Sequence, residues 1–433
     1  MKFRTVAAGA AVVAAVLGML AAWTRPAALA PAAAPPAPPS PAVLAAGARV
    51  VALGDCMVCH TSPVGHAYAG GLGLATPFGT IYSTNITPDP DTGIGRWTIA
   101  AFRRALREGV ARDGHLLYPA FPYVHTTRMS DGDIDLAYAY LMSRPPVRVR
   151  QPDNELVFPL NVRPLLAFWN MLYLRPGDGA APGPSQVERG RYLVDALGHC
   201  AACHSGINLI GGERSPPFGG GTVDGWHAPA LDRLTSGRMP WTQDDLADYL
   251  GSGLSLAHGA AKGPMRPVTE RLTGVPRADV EAMAAYLMSI QQPAAATAAA
   301  APDAAPALLP AAVRVAGAGT GSAGAVLFAA ACAGCHGPAA ALTRLAGRPA
   351  LARSSAVLGD DPANFIQTVL HGIPWQRPAP GGPAPAYMPP FAAVLSDAQV
   401  ADLAAWVRTD LAGRPAWPAV AAASGKLRKE AQP

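Results

Sequence analysis

Charged side chains are scarce in this chain: they make up 15% of its 433 residues, and the net charge is only +5. That scarcity excludes a disordered polyelectrolyte, and without a dense Lys/Arg stripe nothing points to nucleic acid. Glycine and proline, 45 of each, stay below the share typical of low-complexity chains. No cysteine is left unmatched, and no nucleophile or acid–base constellation stands out that would argue for a catalytic centre in the polypeptide itself. The length is too great for one small core and suits two to four domains.

What is present is a motif in triplicate. The six cysteines form the pairs Cys56/Cys59, Cys200/Cys203 and Cys332/Cys335, each spaced C-x-x-C and each followed at once by a histidine: His60, His204 and His336. A disulfide framework does not require that histidine. Structural zinc would need four nitrogen or sulfur ligands per metal, and each unit supplies three. Thioredoxin-type chemistry would need a βαβ setting, of which there is no sign. Two thiols and an imidazole on one short helical turn suit covalent haem c, with two thioethers to the porphyrin and the histidine as proximal iron ligand.

Alignment on the cysteine pairs exposes a repeat. A short helical stretch runs into each motif: Gly47 to Leu53, Gly190 to Leu197 and Gly324 to Ala331. A second helix follows each motif, over Thr98–Glu108, Thr242–Gly251 and Pro362–His371. These lead to Gly109, Gly253 and Gly372, glycines placed as C-terminal caps. A third helix carries Tyr140, Tyr286 and Trp406 at matching places, which read as packing positions. Ser130 with Asp133 and Ser396 with Gln399 mark two of its N-termini.

The sixth iron ligand is sought by register, methionine or histidine being usual. Met265 lies 12 residues after Gly253, and Met388 lies 16 after Gly372, both in proline-bounded loops that would stiffen a sulfur-bearing strap. In the first copy the register position is Phe121, which cannot bind iron. His125, four residues on, would give a bis-histidine haem of lower potential. Met129, which abuts the presumed cap Ser130, is an alternative, and a five-coordinate open site is a third. His115 reads as a surface or propionate contact. His66, His199, His227, His258 and His371 have no register support and read as solvent-facing or hydrogen-bonding groups.

Lys2 and Arg4 precede an uncharged, alanine-rich run from Val6 to Trp23. It reads as an export signal or as an uncleaved anchor with its basic end in the cytoplasm. The A-x-A sites Ala28–Ala30 and Ala32–Ala34 are each followed by proline, which tilts the reading toward an anchor. Either way the remainder is expected outside the cytoplasm.

Taken together, the segments Ser83–Pro88, Gly93–Trp97, Leu117–Ala120 and Trp226–Leu231 and the three motifs resemble the triple-haem cytochrome c subunits of bacterial membrane-bound periplasmic dehydrogenases, of the alcohol and gluconate type. The resemblance runs from about Val43 to Leu411. Family members often carry Met where this chain has Phe121, and Phe with a nearby His points to the relatives that serve molybdenum hydroxylases oxidising aldehydes or N-heterocycles. The resemblance implies a catalytic dehydrogenase partner (a quinoprotein, a flavoprotein or a molybdenum hydroxylase) whose electrons pass through three haems to ubiquinone or another cytochrome, on the periplasmic side of the inner membrane. The chain would not be catalytic alone. The competing reading is a multihaem peroxidase or oxidoreductase with an open first haem.

The expected fold is all-α: three tandem class-I-like cytochrome c domains behind a signal or anchor. The expected boundaries are 1–42 for the signal or anchor and its Pro/Ala linker, 43–150 for the first domain, 151–184 for an apolar connecting segment, 185–291 for the second domain, 292–322 for an Ala/Pro linker, 323–413 for the third domain and 414–433 for a tail. The connecting segment, with Phe158, Leu165, Leu166, Phe168, Trp169 and Leu172, is too apolar for a free tether and should pack on a module or a partner. The tail after Pro415 reads as disordered or peripheral.

Overall fold

The computed structural model describes residues 26–236, 239–292, 322–337, 340, 351–374 and 387–430. The apolar run from Val6 to Trp23 and nearly all of the 292–322 linker lie outside the described residues. Among the described residues no helix is long and apolar enough to cross a membrane. The chain forms two compact units, the first comprising residues 1–202 with 209–212 and the second 203–208 with 213–433.

In the first unit, helix α1 (Pro41–Leu53) starts where the Ser40 hydroxyl accepts from the Val43 amide and Pro41 supplies a preset first turn. It runs to helix α2 (Cys56–Cys59) and packs across helix α5 (Asp131–Met142), whose cap is Ser130 accepting from Asp133 N. The crossing point explains the repeat pattern. A Cβ at Gly47 would sit 2.3 Å from the Leu136 carbonyl oxygen and 2.7 Å from Tyr140 Cβ, so only glycine permits this approach. Helix α3 (Ile99–Glu108) and the single turn α4 (Tyr123–Thr126) close over the same core of Val50, Leu53, Phe102, Leu106, Tyr123, Ile134 and Leu141.

A three-stranded antiparallel sheet, β1 (Gly73–Thr76), β2 (Gly79–Tyr82) and β3 (Glu155–Leu156), sits in the loops of this unit. It is followed by helix α6 (Leu166–Tyr173) and helix α7 (Gln186–Tyr192), which continues as a π-helical stretch over Leu193–Leu197. The latter pair, expected to open the second domain, groups with the first unit. Tyr192 donates to the Asp133 carboxylate at 2.5 Å and accepts from Ser130 N at 3.0 Å, while Leu193 and Leu197 are fully buried.

The second unit contains the end of helix α8 (Ala201–His204), the hairpin β4 (Gly221–Val223) and β5 (Trp226–Ala228), helix α9 (Gln243–Ser252), the short pair β6 (Leu254–Ser255) and β7 (Gly259–Ala260), and helices α10 (Met265–Leu272) and α11 (Arg277–Ser289). It continues with α12 (Ala323–Leu327), a π-helical stretch over Phe328–Cys332, α13 (Ala333–His336), α14 (Ser355–Leu358), α15 (Ala363–His371), α16 (Asp397–Trp406) and α17 (Val420–Glu430). The crossing of α12 on α16 repeats that of α1 on α5: a Cβ at Gly324 would meet the Asp402 carbonyl at 2.1 Å and Trp406 Cβ at 2.7 Å. Ser396 and Gln399 form a full capping box at the start of α16. The three expected cap glycines have positive φ: 65° at Gly109, 74° at Gly253 and 68° at Gly372.

Two expectations need correction. The fold is helix-rich but not all-α, because short hairpins occupy the loops. The β4–β5 turn is the dipeptide Asp224-Gly225 with φ 48° and 73°, a residue pair and geometry suited to tight hairpins. The tail is not peripheral either: α17 packs on α15 and α16, burying Val420, Ser424 and Leu427, with Trp417 buried ahead of it.

Candidate haem-binding sites

The first motif breaks sharply from α1. Gly54 caps that helix, and Asp55 takes a left-handed φ of 49° before Cys56 starts α2. His60 closes the turn with its amide bonded to the Cys56 carbonyl at 3.0 Å, and its Nδ1 donates to the Thr84 carbonyl oxygen at 2.6 Å. A carbonyl only accepts, so Nδ1 carries the proton and the lone pair is on Nε2. Burial holds the His60 imidazole below its ordinary pKa, opposed by that hydrogen bond, which favours the neutral form an iron ligand must have.

The Thr84 carbonyl is itself held. Gly70 donates to the His60 carbonyl at 2.8 Å, and its φ of 74° lets the backbone pass where a Cβ would be 2.6 Å from the Ser83 oxygen. Asn85 accepts from both the amide (2.9 Å) and the hydroxyl (2.7 Å) of Thr87 and donates to the Val147 carbonyl at 2.7 Å. Asp89 accepts from Thr92 N and from its hydroxyl, which with the Asp91 amide depresses its carboxyl pKa despite partial desolvation. The Ser83–Pro88 segment is thus a hydrogen-bonded platform for one carbonyl oxygen.

The second motif repeats the arrangement. His199 takes a left-handed φ of 38° just before Cys200, and α8 carries His204. His204 Nδ1 donates to the Pro229 carbonyl at 2.7 Å, and Gly220 N bonds to the His204 carbonyl at 2.8 Å, as Gly70 does to His60. Burial again holds the imidazole below its ordinary pKa. Neither acceptor, Thr84 nor Pro229, was singled out from the sequence. Their signal was indirect, because each falls inside a segment that carried the family resemblance. In the third motif the π-helical stretch runs without a left-handed break through Cys332 into α13, which ends at His336.

No disulfide joins any of the six cysteines. Among the described residues no three His, Cys, Asp or Glu side chains converge as a metal site would require.

The other candidates fall at several places in the fold. Met265 is the first residue of α10, half-buried, and its strap lies against β5: a Cβ at Gly263 would be 2.4 Å from the Trp226 ring. Met388 exchanges both backbone hydrogen bonds with Ile373, at 2.8 and 2.9 Å, and lies against the core around α15 and α16. Phe121 is half-buried with its ring centroid 6.3 Å from that of Tyr123. His125 is buried on α4, its Nδ1 3.2 Å from both the Asp195 carbonyl oxygen and the Arg128 guanidinium. Met129 is buried directly before the cap Ser130. His115 is a surface group paired with Asp113 at 2.6 Å, and His199 Nε2 lies 3.3 Å from the Gly54 carbonyl oxygen. His258 is buried and stacked on Trp241 at 3.7 Å.

The cytochrome c family pattern matches residues 187–291 and 321–410. A nicotinate dehydrogenase subunit of Pseudomonas putida is 48% identical over 396 residues, covering 90% of this chain, although the chain spans only 32% of that protein. The cytochrome c subunit of the quinone alcohol dehydrogenase of Komagataeibacter europaeus is 36% identical over 422 residues, with 90% of this chain and 85% of the relative covered. The gluconate 2-dehydrogenase cytochrome c subunit of Pantoea cypripedii is 36% identical over 392 residues, covering 85% of each. With its C-x-x-C-H motifs and carbonyl-oriented histidines, the chain belongs to the cytochrome c subunits of dehydrogenase complexes, which bind haem c covalently and transfer electrons for a catalytic partner.

Proposed function

We propose that this chain carries three haems c in three tandem modules and relays electrons from its catalytic subunit to ubiquinone or a further cytochrome, on the periplasmic side of the inner membrane. Haem supplies an iron that alternates between ferric and ferrous, one electron at a time. The chain's own residues attach it through Cys56 and Cys59, Cys200 and Cys203, and Cys332 and Cys335, and hold it axially through His60, His204 and His336. Met265 and Met388 are assigned as the second axial ligands of the second and third haems, and His125 as that of the first. The observation that carries the reading is the pair of Nδ1–carbonyl bonds, at 2.6 and 2.7 Å, which fix tautomer and ring orientation at His60 and His204.

The test is direct. Denatured, acid-acetone-washed protein should retain three haem equivalents by pyridine haemochrome, and clearly fewer than three overturns the count. With a His/Met/Met set the first haem should titrate as the lowest of three potentials, a downhill order if it lies nearest the donor. A titration in which the first haem is the highest removes that assignment.

A molybdenum hydroxylase is the catalytic subunit we favour. The support is the 48% identity to a nicotinate dehydrogenase subunit, together with Phe121, where related subunits often carry methionine, and the nearby His125. We place the contact with that subunit on the exposed apolar run of Phe158, Phe168, Met171 and Leu172, because a chain whose relatives are subunits must bury one face against another protein. The N-terminal run from Val6 to Trp23, behind Lys2 and Arg4, supports export and attachment to the membrane. The protein purified from detergent-extracted membranes should bring a molybdopterin-containing partner with it. Purification with a quinoprotein or flavoprotein instead would replace that partner.

A further inference from the structure

Asn364, the second residue of α15, makes both hydrogen bonds of its side-chain amide to one backbone unit. Its Oδ1 accepts from His227 N at 2.9 Å and its Nδ2 donates to the His227 carbonyl at 2.8 Å. His227 lies in the middle of β5, whose single partner strand is β4. The Asn364 amide therefore takes the place of the missing neighbour on the open edge of that strand. Gln367, one turn on, donates to the Asp224 carbonyl in the same hairpin at 3.4 Å, and a Cβ at Gly225 would sit 2.8 Å from its Nε2.

The clamped strand adjoins the segments that hold or carry both axial candidates of the second motif. Two residues after His227, the Pro229 carbonyl accepts from His204 Nδ1 at 2.7 Å, and proline's fixed φ leaves little slack between the clamp and that oxygen. One residue before His227, the Trp226 ring lies against Gly263 in the strap that bears Met265. Asn364 itself belongs to the third repeat, on the helix that leads through Gly372 toward Met388.

We propose that Asn364 is a positioning residue for the second haem: by holding β5 it fixes the hydrogen bond from His204 to Pro229, and so the docked third repeat sets the reduction potential of its neighbour. The inference rests on the assignment of a haem to Cys200, Cys203 and His204. A histidine whose Nδ1–H is firmly bonded is a more basic ligand and favours ferric iron. Loosening the clamp weakens that bond and raises the potential of this haem alone.

The experiment is a spectroelectrochemical titration of the full chain, with the haem count taken on the same sample. Met265→Leu identifies the wave of the second haem. Asn364→Ala is expected to raise that wave by about tenfold in the ferrous-to-ferric ratio at fixed potential, which is 59 mV for a one-electron couple. Gln367→Ala, which loosens the same docking without touching His227, should leave all three waves in place. Asn364→Ser, tolerated in a helix's first turn and too short for the two-point clamp, serves if Asn364→Ala does not fold. An unmoved second wave, or equal shifts in all three, overturns the proposal while three haems remain bound. A wild-type count below three instead removes the haem assignment on which it stands.

Discussion

The run from Val157 to Tyr173 and the C-terminal helix α17 both lie outside the three repeats, and they meet the rest of the chain in opposite ways. The first is strongly apolar, yet Phe158 is 81% exposed, Met171 62% exposed, and α6 buries none of its residues. It is moored by polar atoms: Asn170 accepts from the Tyr123 hydroxyl at 2.7 Å, and the Trp169 indole donates to the Ile210 carbonyl at 3.0 Å. The second, expected from the sequence to be disordered or peripheral, seats Leu427 and Val420 in the core. Arg428 reaches Asp397 at 3.0 Å and the Leu395 carbonyl at 2.9 Å, while Trp417 lies under the Arg408 guanidinium at 4.1 Å and donates to the Gly359 carbonyl at 3.0 Å. Composition tells how much a segment gains from burial. Whether it is buried depends on a surface of matching shape with polar anchors in place.

The comparison is broken or sharpened most strongly by truncating its aromatic anchors. Trp417→Ala should cost about 3–5 kcal/mol of the second unit's stability, whereas Phe158→Ala should cost about 0.5 kcal/mol or less in the first. Denaturant unfolding followed separately for each unit checks both, and equal losses would erase the contrast. Next in size, Phe168→Glu with Met171→Glu should leave the melting of the isolated chain unchanged but weaken association with the catalytic subunit by about tenfold or more. Retained binding, measured by co-purification or light scattering, would move the partner to another face.

The smallest effect concerns the tail's charge anchor. The Ser424 hydroxyl, then Arg428, holds the Asp397 carboxyl below its usual range against partial desolvation. A carboxyl with a depressed folded pKa contributes stability that is complete above its unfolded value, about 4, and is lost as pH falls through the lowered one. Acidification below about pH 4 should therefore raise hydrogen exchange across Val420–Glu430. Asp397→Asn should flatten that dependence and cost about 0.5–1 kcal/mol at neutral pH. An unchanged acid profile in the variant would assign the effect elsewhere.

Much of the fold was legible because it is local or repeated. Ser130, Thr98, Thr242 and Ser396 cap helices through their own side chains, and Gly109, Gly253 and Gly372 end helices at positive φ. The matched glycine–aromatic pairs Gly47/Tyr140 and Gly324/Trp406 turned out to be helix crossings. The small sheets were missed because strands of two to four residues are too short to show a period of two. The join of α7 to the first unit was missed because it is made by long-range contacts, among them Tyr192 reaching Ser130 and Asp133 some sixty positions back.

The proposed attachment chemistry was legible in sequence alone, since two thiols and an imidazole within five residues need no distant partner to share one turn. The tertiary structure decided what orients those groups. Thr84 lies 24 residues beyond His60, Pro229 lies 25 beyond His204, and Asn364 lies 137 beyond the strand it clamps. A hydrogen bond between groups so far apart leaves no period or spacing in the chain, and only folding brings its donor and acceptor within 3 Å.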